Sequence, residues 1–140
     1  MRGVHDARTG TDILDHDACL ALASRAQVGR VAVVDGNQPL VFPVNYRLDG
    51  ADVLFRTGPG TKLTMANRTV CFEVDEIDPA TRSGWSVMIQ GRLEEVSPAD
   101  GPAFERVSGV EVDPWAASPK DHLMRVVARV VTGRRIPRGR

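Results

Sequence analysis

The segment Phe55-Arg56-Thr57-Gly58-Pro59-Gly60-Thr61-Lys62 gathers a guanidinium, two hydroxyls and an ammonium around a turn of two glycines and a proline. A strand ending in Arg56 and Thr57, followed by a turn and a helix opening at Thr61, would set backbone N–H groups beside two cations. That is the composition of a phosphate site. It is not a P-loop, because the G-x-x-x-x-G-K-[ST] spacing is absent. The same residues also suit a plain polar turn capping a short helix, and spacing alone does not choose between the two. Upstream, Val41-Phe42-Pro43-Val44-Asn45-Tyr46 carries a proline inside a strand-like run, which removes a ladder donor. Pro43 therefore marks an edge, a bulge or a place where a ligand replaces a neighbouring strand. Asn45 adds a donor and an acceptor, so the segment suits the imide edge of a planar heterocycle and equally an edge strand with a solvent-facing amide.

Other catalytic patterns are missing. His5, His16 and His122 show neither metal-triad nor Ser-His-Asp spacing and read as structural or exposed. Glu94-Glu95 and Asp75-Glu76 alternate faces on strands and read as solvated. No catalytic residue and no metal site are assigned. Cys19 and Cys71 form neither a C-x-x-C pair nor a disulfide framework, which fits a reducing compartment. Eighteen basic residues balance eighteen acidic ones, so a general nucleic-acid binder, which needs a basic excess, is not indicated. No apolar run approaches the ~18 residues that span a bilayer, and residues 1–12 carry no secretion-like stretch. A cytoplasmic protein with no membrane partner is expected. Only Lys62 and Lys120 are lysines against sixteen arginines, a slight hint that Lys62 serves where a compact ammonium is wanted.

The elements that must position these residues form one domain over residues 1–140, with 1–12 and 136–140 as loose tails. Asp15 caps a helix over Asp15–Ala26, where Cys19, Leu20, Ala23 and Ala26 recur at helical spacing. Gly29–Thr57 holds three β-branched runs separated by Asp35-Gly36-Asn37 and Asp49-Gly50, two hairpin signals of the type I′ kind. A short helix with Leu63, Met65 and Ala66 follows. Val70–Ile77 and Trp85–Val96 alternate as half-buried strands, the second with a bulge or close approach at Gly91. Ser97 and Pro98 open a helix reaching Arg106, and the Val-rich His122–Thr132 closes the sheet. Six mostly antiparallel strands in so short a chain close on themselves, because closure removes exposed edges. The fold class is thus mainly β with short helices, a small six-stranded barrel.

Taken in order, Val28-Gly29-Arg30-Val31-Ala32, Phe42-Pro43-Val44-Asn45-Tyr46, Phe55-Arg56-Thr57 with Thr61-Lys62-Leu63 and Asn67, Cys71–Asp75, and Trp85-Ser86-Val87 with Gly91 resemble the pyridoxamine 5′-phosphate oxidase-like flavoproteins. Within them the likeness is to the short subgroup that includes nitroimidazole-resistance-type proteins and actinobacterial flavin or deazaflavin reductases. It covers roughly residues 14–135. The resemblance implies an antiparallel split β-barrel and a homodimer with FMN sites at the subunit interface. It places Arg56, Thr57, Thr61 and Lys62 around the flavin phosphate and ribityl chain. Val44, Asn45 and Tyr46 then lie along the isoalloxazine, approached by Trp85 and Ser86. The implied activity is an oxidoreductase acting on a small planar acceptor, with the flavin carrying the chemistry.

Two departures narrow this. The chain lacks the C-terminal Trp and Arg segment that long members use for substrate, so vitamin B6 oxidation is not implied. The loop Thr57–Lys62 lacks the active-site His of the nitroimidazole-resistance proteins. Two alternatives accompany the main reading. One is a 5-deazaflavin coenzyme with an acidic tail, which would use Arg134, Arg135 and Arg138; the other is a non-catalytic flavin or haem binder, in which His122 or His16 would ligate the haem iron. Val126–Val131 and the tails are the expected interface pieces.

Overall fold

The computed structural model describes residues 3–108 and 122–138. In chain order it runs β1 (Gly3–Asp6), β2 (Thr11–Leu14), α1 (His16–Ala23), β3 (Val28–Asp35), β4 (Gln38–Asp49), β5 (Asp52–Thr57), α2 (Thr61–Thr64), β6 (Thr69–Asp78) and β7 (Ser83–Val96). A 3-10 turn (Pro98–Asp100), α3 (Pro102–Ser108) and β8 (His122–Ile136) follow. The sheet order is β1-β2-β8-β5-β4-β3-β6-β7, and β8 also pairs with β7. That extra pairing closes β8, β5, β4, β3, β6 and β7 into an antiparallel ring, the expected six-stranded barrel. The β1–β2 hairpin is added to its β8 edge.

The hairpin corrects the reading of residues 1–12 as a tail. Few of its residues are apolar, and long-range ion pairs hold it. Arg134 Nη1 donates to Asp6 Oδ2 at 3.2 Å and to Thr11 Oγ1 at 3.0 Å, and Arg135 Nη2 to Asp12 Oδ2 at 2.7 Å. The same contacts carry β8 four residues beyond Thr132, through Ile136. Both meander turns have Gly at the first central position, Gly36 at φ 64° and Gly50 at φ 61°, with no positive φ at the residue after. That is the type II′ arrangement, not I′, because the aspartates already belong to the strands.

α1 starts where Asp15 predicts, its carboxylate accepting the Ala18 N–H at 2.8 Å, but it ends at Ala23, three residues short of Ala26. The helix expected after Ser97 divides at Gly101 (φ 62°) into the 3-10 turn and α3. At Gly91 the β7–β8 register slips, Gln90 facing Val130 and Gly91 facing Ala128. A side chain at Gly91 would run into the Val127 carbonyl, so the bulge needs glycine there.

Period-2 alternation divides the barrel strands into two faces. Val31, Val33, Val44, Tyr46, Phe72, Val74, Val87 and Ile89 fill the interior with α1 residues Cys19 and Leu22. Val126, expected at an interface, is in this core as well. A smaller cluster of Leu54, Leu123, Val96 and Val107 seats α3 on the other side of β5. Among the described residues no helix is long and apolar enough to cross a membrane.

Candidate functional site

Pro43 marks an edge. β4 pairs with β3 along its whole early half, Val28 facing Asn45 and Arg30 facing Pro43, whereas its pairing with β5 runs only from Tyr46–Phe55 to Asp49–Asp52. Residues 38–45 therefore have a strand on one side and the turn after β5 on the other. The missing Pro43 N–H costs no ladder bond on that open side.

The open edge begins a transverse row. Tyr46 and Phe55 face inward as a pair, so the adjoining Asn45 and Arg56 lie together on the outer face. Across β4 and β3, Asn45 faces Val28, and across β6, β7 and β8, Asp75 faces Ser86 and Ser86 faces Arg134. The row wraps the outside of the ring, so Asn45 on β4 and Ser86 on β7, three strand positions apart, stand on opposite sides of it. Asn45 and Arg56, on neighbouring strands, share one outer patch.

Thr57 is buried, its hydroxyl donating to the Gly58 carbonyl at 3.1 Å. Gly60 at φ 146° makes the reversal into α2, whose Met65 end is anchored in the core beside Leu63 and Ala66. The Lys62 ammonium lies 5.2 Å from the centre of the Phe42 ring, which brings the cation to β4 three residues before Asn45. Arg56, Thr61 and Lys62 are all half-buried and so remain accessible. Val44, Tyr46 and Trp85 point inward, so only their backbone meets the outer face. Tyr46 supports the site from behind: its hydroxyl donates to the Ala23 carbonyl and its ring meets Phe72 edge-on at 4.7 Å. Burial raises its phenol pKa well above the ordinary value. Trp85 lines a separate cavity of about 410 Å³ with Leu22, Arg25 and Arg135.

At the far end of the row a groove of about 700 Å³ opens between β2, β7 and β8, lined by Ile13, Glu73, Ser86, Met88, Thr132 and Arg134 among others. Glu73 was not singled out in the sequence, although its alternation with Asp75 on a strand implied a shared face. Arg30 Nη1 bridges both carboxylates, at 3.0 Å to Glu73 and 3.3 Å to Asp75. Burial, then the neighbouring Asp75, pushes the Glu73 carboxyl up to about 7, against the opposing pull of Arg30. Asp75 is thus not simply solvated, nor is Glu95, which accepts from or donates to His122 Nδ1 at 2.5 Å according to protonation. His5 is bonded to Asp12 at 2.8 Å. Among the described residues no group of His, Cys, Asp and Glu is placed to hold a metal.

This arrangement can be set against known proteins. The sequence profile described as pyridoxamine 5′-phosphate oxidase matches residues 15–135, most of the chain. The chain belongs to that family. The Mycobacterium tuberculosis protein Rv0080 is 31% identical over 131 residues, covering 88% of this chain and 84% of its own. A FAD binding protein of Mycobacterium smegmatis superposes with a TM-score of 0.69 at 29% identity, over 91% of this chain and 99% of its own. A FAD-binding protein of Mesorhizobium loti does so with 0.73 at 26%, over 89% and 97%. Family membership and the barrel expected from the motif order therefore agree. Of the residues that the oxidase-family resemblance nominated, the fold brings Arg56, Asn45 and Lys62 together at the open edge of β4, while Ser86 lies across the ring beside the groove.

Proposed function

We propose that this chain is a cytoplasmic, flavin-dependent oxidoreductase that works as a homodimer and reduces a small planar acceptor. The observation that carries the reading is the cluster of Arg56, Asn45, Thr61 and Lys62 at the open edge of β4. The residues fit the group: an open strand edge with an amide suits the polar edge of a fused ring, and the cations stand where a chain leads off it. The relatives named for FAD make the dinucleotide a second form to test beside FMN.

In this reading Lys62 and Arg56 hold the phosphate by charge-assisted bonds, with the Thr61 hydroxyl and the amides at the turn. The backbone of residues 43–45 and the Asn45 amide orient the ring edge, and Ser86 meets it from β7. A bound flavin supplies reversible two-electron chemistry that no side chain here offers. Val34, Val41, Met88 and Val130 are exposed on the outer surface of the barrel, 55%, 61%, 39% and 48% respectively. A second copy laid on such apolar area would cover it and exclude water from the ring. Free Cys19 and Cys71 agree with a reducing compartment.

The deazaflavin reading loses part of its motivation, because Arg134 and Arg135 are engaged by Asp6 and Asp12 of the hairpin. Titrating the protein with FMN, FAD and a 5-deazaflavin coenzyme, followed by fluorescence, tests the assignment. Tight binding of FMN or FAD is expected, weakened by Lys62→Ala by ~1.5–3 kcal/mol, or roughly 10–150-fold. Absence of binding to any of the three overturns the function. Sedimentation as a 15.2 kDa monomer at micromolar concentration overturns the dimer.

A further inference from the structure

The 700 Å³ groove at the Ser86 end of the row lies beyond the residues that the flavin reading uses for the phosphate. Its volume is within the ~300–1,000 Å³ of small-molecule sites, and its walls mix apolar side chains with a few converging polar groups. Ser86, which lines the groove, is also a residue that the flavin reading sets against the ring, so in that reading a molecule held there lies next to the ring. The geometry points to this groove as the acceptor pocket, built for a planar molecule that presents a cation or an N–H donor and selective against phosphorylated or carboxylated ones. The inference rests on the flavin reading and adds the substrate class to it.

Charge carries the argument. Among the described residues lining the groove, Arg134 is the cation, and its guanidinium is engaged by Asp6 at 3.2 Å and by Thr9 and Thr11 at 3.5 and 3.0 Å. An anionic acceptor would have to compete with Asp6 for it. The opposite sign is presented by Glu73, which faces Met88 across β7 and shares Arg30 with Asp75, so two carboxylates answer one guanidinium. The groove floor is apolar and close-packed. At Gly133 a Cβ would come within 2.6 Å of Cys19 Sγ and 3.3 Å of Leu14 Cδ1, so β8 lies directly on the core beneath the groove and needs glycine there. A ring stacked along Ile13 and Met88 would then turn its donor edge to Glu73 and the Ser86 and Thr132 hydroxyls.

The carboxyl of Glu73, raised to about 7, makes this preference depend on pH. The charged groups around it are Arg30 from β3, Asp75 from its own strand and Arg134 from β8, while β7 contributes the uncharged Ser86, Met88 and Gln90. Preference for a cation therefore grows as pH rises through that value.

The test uses four matched probes, benzamidine, benzamide, benzoate and phenyl phosphate, added to the full chain with and without flavin and followed by amide and methyl NMR. At about pH 8, benzamidine should bind at least about tenfold tighter than benzoate or phenyl phosphate, as one charge-assisted bond supplies. The shifts should centre on Ser86, Met88 and Thr132. The margin should shrink at about pH 6 in the unaltered protein and in Glu73→Gln at either pH, so the result does not hang on one variant. Equal or tighter binding of either anion, or shifts centred elsewhere, overturns the proposal. Flavin titration of the same samples separates the two ideas. Flavin binding without the benzamidine preference sinks the pocket alone, whereas no flavin binding overturns the acceptor role, with the probes still deciding the ligand class.

Discussion

The two faces of the same barrel strands differ in what they can tolerate. On β3, β4, β6 and β7 the inward positions are apolar and nearly inaccessible, Val31, Phe72 and Ile89 at 0% exposure, and each is boxed in by its neighbours. The alternate positions, Arg30, Asn45, Glu73 and Ser86, are polar and at least partly open. One backbone thus carries two separable jobs: stability is written on one face and recognition on the other, one residue apart.

The sharpest way to break this division is at Phe72. Phe72→Ala should cost ~3–5 kcal/mol in denaturant unfolding, since it empties the barrel centre beneath Tyr46 and Gly29. Tyr46→Phe probes the same face more gently. Losing the bond to the buried Ala23 carbonyl should cost ~1–3 kcal/mol of stability, with flavin affinity little changed. On the outer face the effects should reverse. Asn45→Ala should weaken flavin binding by ~0.5–1.5 kcal/mol in a fluorescence titration, while its melting midpoint stays near that of the parent.

Glu73 sharpens the comparison through pH. Its folded value of about 7 exceeds the ordinary 4.5, so the folded chain holds the proton more tightly than the unfolded one. The stability this contributes is complete below about 4.5 and is lost as pH rises through about 7. Melting curves of Glu73→Gln should lack that decline. The smallest effect belongs to the hairpin, where hydrogen bonds from Arg134 and Arg135 hold Asp6 and Asp12 below the usual carboxylate range. Their contribution is present above the ordinary value and lost as pH falls through the lowered one. Amide protection factors in β1 and β2 should therefore fall in acid before those of the barrel amides do.

The six barrel strands were legible because alternation and Asp-Gly turns are local signals, and of the three readings of Pro43 the edge is the one that the strand pairing matches. The hairpin was not, since what orders Asp6 and Asp12 is a pair of arginines more than 120 positions away. The turn type was missed because Asp35 and Asp49 had already joined the strands. In the site, Arg56, Asn45 and Lys62 were legible from residue type and spacing and Ser86 through family order, and the β4–β5 pairing explains why Asn45 and Arg56 share a face. It overlooked Arg30, Glu73 and the groove, which exist only once β3, β6, β7 and β8 are side by side. Val44, Tyr46 and Trp85 belong to the same motifs, but strand alternation turns their side chains to the core.

β8 pairs with β2, β5 and β7, so the barrel and its hairpin are completed together by the strand that is synthesised last among them. Roughly 25 residues separate Val96 from His122, about 1–5 s of synthesis at ~5–20 residues per second. Through that interval the nascent sheet keeps β5 and β7 as bare edges, able to recruit strands from neighbouring nascent chains. The long connection from β7 to β8, which precedes closure of the finished barrel, thus sets the window in which the unfinished one is most exposed to aggregation.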